Sequence, residues 1–220
     1  MRRIVRLILF VFCCALLFGH FNVIFHNESP IAAAPKQQST LEILTTAKTA
    51  TKFTAEPISE GHIRQILLAG LNAPSARNSQ PWHFSVVTNK KILNQINEAM
   101  LAGMPKGAPA SPRKLGLADA TVAIFVYGTN NLPSDSFDCG LATEAMSIAA
   151  LSLGYGTKIV SSPTIVLNGA KKADFDQLLQ IPKGYSNVAV LLIGHNDKSV
   201  DTTTGGSTRS PMEQKVRFIK

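Results

Sequence analysis

Residues 73–84, Ala-Pro-Ser-Ala-Arg-Asn-Ser-Gln-Pro-Trp-His-Phe, constrain the fold more than any other stretch of this chain. Sequence compatible with a helix stops at Pro74, because a proline has no backbone N–H and its ring clashes with the preceding turn. A polar turn follows. Pro81-Trp82 then leads into residues 83–88, whose alternation has the period-two pattern of a strand. The order helix, tight polar turn, strand holds backbone groups, the carboxamides of Asn78 and Gln80 and a cation beside an aromatic wall. Such a constellation suits a flat ring with polar edges.

The 220 residues suffice for one compact domain plus a leader, and a hydrophobic content of 45% is ample for a core. The formal charge of +8 is scattered rather than gathered into a stripe, and no nucleic-acid module is present. A solvated basic surface is expected, with no nucleic-acid partner. At the start, Arg2, Arg3 and Arg6 precede an apolar run at 7–19, the charged-then-apolar pattern of an export signal. As a helix that run spans roughly 20 Å, short of the ~30 Å hydrocarbon layer, but extended through Phe25 it approaches a spanning length. Residues 1–26 are therefore expected to form a signal peptide or an N-terminal membrane anchor, with membrane association through residues 4–25 and a linker over 27–40. This implies an exported or membrane-anchored protein of a bacterial cell envelope, or a cytoplasmic one if the segment is not a targeting signal. Cys13 and Cys14 read as small apolar residues of the leader. Beyond it only Cys139 remains, which excludes an intramolecular disulfide in the folded domain and a structural zinc site there.

Behind the leader, 41–48 reads as a short helix. Ser59 is placed to cap the next one, along which Ile63, Ile66, Leu67 and Leu71 form an apolar stripe. A further helix over 90–101 is marked by Ile92, Leu93, Ile96, Met100 and Leu101. The Gly- and Pro-rich stretch 103–116 predicts a surface loop or a lid. Residues 120–127 and 188–193 read as buried strands, and 141–153 as an apolar helix whose Ala142, Ala145, Ala149 and Ala150 permit close packing. Helices mixed with about four strands, without regular alternation, predict an α+β layered domain over 41–220. Gly154-Tyr155-Gly156 follows a helix rather than a strand, so it is no dinucleotide fingerprint. Gly154 reads as a helix stop and Gly156 as part of a tight turn. Ser75, Ser79, Ser161 and Ser162 lack a recognisable His/Asp partnership, which disfavours hydrolysis by a serine nucleophile.

From residue 41 to the C-terminus the chain resembles the FMN-dependent nitroreductase family, most strongly at Ala73-Pro74-Ser75-Ala76-Arg77-Asn78-Ser79-Gln80-Pro81-Trp82. The resemblance implies a central mixed or antiparallel sheet surrounded by helices, in an intertwined homodimer that often exchanges C-terminal arms. It implies that Pro74 and Ser75 approach FMN through backbone and hydroxyl, while Asn78 and Gln80 meet the polar edge of its ring. Family members commonly carry Arg-Arg-Ser-x-Arg before a Phe to grip the phosphate. Here the aligned run is Ala47-Lys48-Thr49-Ala50-Thr51, which keeps one cation and one hydroxyl but replaces arginines by Ala47 and Thr51. A hydrogen bond to a charged group contributes roughly 1.5–3 kcal/mol, so this departure weakens the phosphate grip. Arg209, in Gly206-Ser207-Thr208-Arg209-Ser210-Pro211, stands where the family places a second basic residue. Asp138-Cys139-Gly140-Leu141-Ala142 opens the matching central helix, which lines the dimer contact in the family, and Ser161, Ser162 and Pro163 fall where one flavin face is covered. The implied chemistry resides on the flavin, with no catalytic side chain and no metal. NAD(P)H is the implied donor, and a nitroaromatic, quinone or related conjugated compound the acceptor, in ping-pong order. The alternatives are a flavin-dependent dehydrogenase, a reductive dehalogenase-like enzyme, or a membrane-associated flavin-binding protein without turnover, the last favoured by Ala47 and Thr51.

Overall fold

A computed structural model describes residues 39–103, 116–197, 199 and 209–219. The expected leader, most of the linker and most of the 103–116 loop lie outside the described residues. Helix α1 is Thr40–Thr46, capped by Ser39, whose Oγ accepts the Glu42 N–H at 3.1 Å. The linker expected to reach residue 40 therefore already contains the cap and first residue of α1, which also ends two residues before 48. Helix α2, Glu60–Leu71, is capped as expected by Ser59, which accepts the His62 N–H at 3.2 Å. It stops at Asn72, just ahead of Pro74, because residues preceding a proline are pushed toward extended backbone.

The remaining elements follow in order: β1 Trp82–Val87, α3 Lys90–Ala102, β2 Val122–Gly128, α4 Asp135–Ser152, β3 Gly156–Val160, α5 Thr164–Leu167, α6 Lys172–Leu179, β4 Ser186–Gly194 and α7 Met212–Lys215. The four strands form one antiparallel sheet in the order β1-β2-β4-β3. Ile124 and Val126 of β2 point into a core shared with α2 and α4, where Ile66, Ala142, Met146 and Ala150 lie. The alternate residues Ala123, Phe125 and Tyr127 face α3, α5 and α6 with Leu93, Ile96, Leu167 and Phe175. Helices therefore cover both faces, and every residue of β2 is buried. Each large apolar side chain so buried contributes roughly 1.5–3 kcal/mol. This is the expected α+β architecture, with the sheet antiparallel throughout.

Three local expectations need correction. Gly156 is not in a turn but opens β3, where a Cβ would meet the Asn196 side chain. The apolar helix expected from 141 starts at Asp135, with Asp135 and Asp138 in a first turn where negative charge complements the helix dipole. Leu71 and Leu101, taken as core, are 52% and 61% exposed. Gly154 does end α4, at φ 86°. Among the described residues no helix is long and apolar enough to cross a membrane.

The strip 50–54 runs beside β3 and the end of β4. Ala50 N–H donates to Thr157 O at 2.8 Å, and Phe53 bridges Asn196. A Cβ on Gly194 would sit 2.6 Å from the Phe53 ring. Gly194→Ala is therefore expected to destabilise the fold by about 1–3 kcal/mol, read as a lower urea midpoint with unchanged slope.

Candidate functional site

The turn between α2 and β1 is built on left-handed backbone at residues that are not glycine: Arg77 at φ 56°, Asn78 at 54° and Gln80 at 44°. Left-handed backbone costs an ordinary residue about 1–2 kcal/mol, although asparagine tolerates it better. Such strain persists only where the surroundings over-determine it, and it clusters at functional sites. Within the turn, Ser75 Oγ accepts the Gln80 N–H at 3.0 Å, and Gln80 Nε2 donates to Asn78 Oδ1 at 3.1 Å. That bond uses the oxygen of one carboxamide and one N–H of the other. It leaves the Asn78 NH₂ and the Gln80 carbonyl as a donor and an acceptor side by side. Both side chains are exposed, as is Pro74, while Ser75 is half-buried.

Two buried carboxylates of α4 tie this end of the sheet together. Asp138 Oδ2 accepts the Ala76 N–H at 3.0 Å. Asp135 Oδ2 accepts the Thr129 hydroxyl at 2.7 Å and the N–H groups of Asn131 and Leu132 at 2.9 and 3.1 Å. The Thr129 hydroxyl, more than the two backbone donors, holds the Asp135 carboxyl below the usual carboxylate range. Thr129 N–H in turn donates to Pro81 O at 3.1 Å, fixing the exit of the turn. Neither carboxylate was singled out as functional from the sequence, yet acidic residues just ahead of an apolar helix are a start signal that could have found both. Cys139, next in the helix, is fully buried, and burial pushes its thiol up to about 12, so it is a core residue rather than a reactive one.

The phosphate candidates lie elsewhere. Lys48 and Thr49 are exposed and Thr51 is half-buried, with its Oγ1 enclosed and without a hydrogen-bond partner. All three flank β3, whose Thr157 accepts from Ala50 and whose hydroxyl lies 3.0 Å from Ser147 Oγ on α4. Nine residues of α4, ~14 Å of helix, separate Ser147 from Asp138 under the turn. Ser161 and Ser162 are exposed and Pro163 is buried just after β3, where Ser161 O accepts the Thr164 N–H and hydroxyl. That is the same end of the sheet as the turn, but at the opposite edge, three strand spacings or ~14 Å away. Arg209 is exposed at the start of the C-terminal segment. Within one copy of the chain the predicted residues thus lie in separate groups, most of them exposed. Two grooves among the described residues lie apart from them: one of about 430 Å³ along the outer edge of β1, and one of about 520 Å³ lined by Thr54, Glu56, His195 and Asp197.

The model of a family described as the nitroreductase family matches residues 45–195. A protein of Archaeoglobus fulgidus, provisionally named NADH dehydrogenase/NAD(P)H nitroreductase, is 30% identical over 160 residues, which is 70% of this chain and 84% of that one. The FMN reductase [NAD(P)H] of Bacillus subtilis is 28% identical over 167 residues, 70% of this chain and 65% of that one. Among solved structures, a nitroreductase with bound FMN from Desulfitobacterium hafniense superposes with TM-score 0.72 at 24% identity, covering 82% of this chain and 98% of that one. One from Bacteroides fragilis, also with bound FMN, gives 0.71 at 17%, covering 83% and 100%. At these identities the structural likenesses speak for the fold alone.

Asp135 gives this region an acid limit. Its lowered carboxyl contributes stability above the ordinary carboxylate pKa, and that stability is lost as pH falls through the lower value of the folded state. Thr129→Val removes the largest cause of the shift, so acid unfolding followed by circular dichroism is expected to begin at higher pH than in the wild type.

Proposed function

The chain belongs to the nitroreductase family, and we propose that it is an FMN-dependent oxidoreductase that works as a homodimer, with NAD(P)H as donor and a nitroaromatic, quinone or related conjugated compound as acceptor. The observation that carries this reading is the outward donor–acceptor pair of Asn78 and Gln80 on a strained turn, a match to the carbonyl- and nitrogen-bearing edge of a flavin. The rest of the donor set fits as well. The enclosed hydroxyl of Thr51, without a hydrogen-bond partner among the described residues, and the exposed Lys48 offer a hydrogen bond and a charge to a phosphate.

Bound FMN would supply the redox ring between donor and acceptor. The chain's own part is to hold it. Asn78 and Gln80 take the ring edge, Pro74 and Ser75 its flank, Ser161, Ser162 and Pro163 one face, and Lys48, Thr49, Thr51 and Arg209 the phosphate. Donors fixed beforehand by the fold stabilise negative charge without reorganising when it arises. Because the turn and the phosphate residues are separate groups in one copy, the proposed site is shared between two. Exposed apolar side chains support a second copy: Leu41 and Leu44 on α1, Leu68 and Leu71 on α2, and Phe137 on α4, which is 67% exposed. These helices pack on one another, and a symmetric partner is the usual cover for such a surface. The outer edge of β3 receives the Ala50 N–H at Thr157 O, whereas among the described residues no backbone hydrogen bond reaches the outer edge of β1. The exposed Val216, Phe218 and Ile219 of a partner's C-terminal arm supply a segment that could add to it. We also propose that residues 1–26 direct this domain to the cell envelope, which fractionation with and without them tests.

Purified protein supplied with FMN is expected to show flavin absorbance, to sediment as a dimer and to bleach on addition of NADH or NADPH. A folded preparation that takes up no FMN ends the reading, and one that binds FMN but never bleaches is a binder. Thr51→Val is expected to weaken FMN by about fivefold to tenfold, by fluorescence quenching, while the FMN-free protein unfolds at an unchanged or higher urea concentration. Arg209→Ala should release flavin. Unchanged affinity would remove Arg209 from the site.

A further inference from the structure

We infer that Asp138 is a positioning residue: it clamps the strained turn 75–80 from beneath and so sets the orientation in which Asn78 and Gln80 are presented. The inference rests on the reading of that turn as the flavin-edge site. Within 75–80 the other described hydrogen bonds are internal: Asn78 N–H to Ser75 O, Ser79 N–H to Ala76 O, Gln80 N–H to Ser75 Oγ and Gln80 Nε2 to Asn78 Oδ1. The Ala76 N–H to Asp138 Oδ2 bond is the one that reaches the rest of the fold, across 62 residues of sequence.

Its position gives it leverage. Ala76 immediately precedes Arg77, the first left-handed residue, so holding the Ala76 N–H fixes the Ser75–Ala76 peptide plane, one residue before the chain turns into the left-handed region. Asp138 is 2% exposed and belongs to the first turn of α4, a helix packed under the sheet, so the acceptor itself cannot wander. An acceptor in such surroundings makes a stronger bond than the same group in water. Internal bonds alone could move with a relaxed turn, whereas a tie to α4 penalises relaxation. Asp138 touches the turn backbone and neither ring-facing carboxamide, so its effect is transmitted through conformation.

The test compares Asp138→Ala and Asp138→Asn, each with and without Arg77→Gly, using the full chain. Amide hydrogen exchange is measured before FMN is added, and FMN affinity afterwards by fluorescence quenching. Asp138→Ala is expected to speed exchange at 76–80 and to weaken FMN by about tenfold each, with Asp138→Asn between it and the wild type. Arg77→Gly, because glycine enters left-handed backbone without steric cost, is expected to recover about threefold of the affinity lost in Asp138→Ala. Exchange that rises equally throughout α4 and the sheet, with no recovery from Arg77→Gly, would make Asp138 a stability residue only and overturn the clamp. If neither Asp138 variant folds, wild-type exchange decides: the clamp requires the Ala76 amide to exchange at least about tenfold more slowly than the Arg77 amide, which has no backbone acceptor among the described residues. A wild type that binds no FMN refutes the flavin reading, while the exchange measurements still decide whether the clamp exists.

Discussion

Helix α4 crosses under all four strands, and the positions of the candidate site residues follow from how its two ends are tied. At its start, Asp135 and Asp138 hold the 129–132 loop and the turn before β1. Toward its end, Ser147 meets Thr157 on β3, the strand that carries the 50–54 strip and hence Lys48, Thr49 and Thr51. The contact works only because the helix lies close to its neighbours. Small residues make that approach: Ala142 and Ala150 face the sheet, and at Gly70 of α2 a Cβ would stand 2.7 Å from Met146. A platform packed this closely resists sliding, since interiors near crystal density transmit displacement rather than absorb it. The turn carrying Asn78 and Gln80 and the strip carrying Thr51 are thus tied to the two ends of one helix.

Much of the architecture was legible because it obeys local rules. The Ser59 cap, the helix stop at Gly154, a strand following Pro81 and the doubly buried β2 each announce themselves in residue type and period, although the burial of β1 does not alternate as its sequence does. The misses have physical causes. Gly156 looks like a turn residue, but it is used because the Asn196 side chain crosses β3 there, a tertiary contact no local pattern encodes. The first six residues of α4, Asp-Ser-Phe-Asp-Cys-Gly, lack apolar periodicity because their work is to seat two carboxylates. The site residues at 74–80 came from resemblance, whereas the left-handed backbone that sets their direction was not readable. Arg77 and Gln80 are poor markers for such backbone, and the acceptor that holds Ala76 lies far away in sequence.

Exposure of the candidate residues follows from the same geometry. A ring site complete within one copy would show its polar groups around a cavity, whereas Asn78 and Gln80 are exposed and line neither of the two grooves. They stand on the surface, in the same copy as the unpartnered apolar side chains of α1, α2 and α4. A surface that combines fixed polar groups with uncovered leucines is what the proposed second copy would cover. In such a dimer the apolar residues would leave water, and one copy's turn brought toward the other's phosphate candidates would enclose the polar groups. Enclosure also raises what each remaining donor contributes, because the competing water is gone.

That last effect bears on the missing arginines. On the proposed reading, with Ala47 and Thr51 where the family commonly carries arginines, a phosphate would meet a lysine point charge and hydroxyls, a weaker and less directional set. Thr51 departs from ordinary practice in the opposite sense. Its hydroxyl is enclosed without a partner in the free chain, a state that costs stability until an acceptor arrives. Lost arginine contacts lower affinity in the bound state, whereas an unsatisfied hydroxyl raises the energy of the unbound state, and the difference between the two states is what binding measures. An orphaned donor therefore offsets part of what the arginine losses remove. On the proposed reading, a phosphate could then be held with fewer charges, because the Thr51 hydroxyl would gain a hydrogen bond on binding that it lacks within the fold.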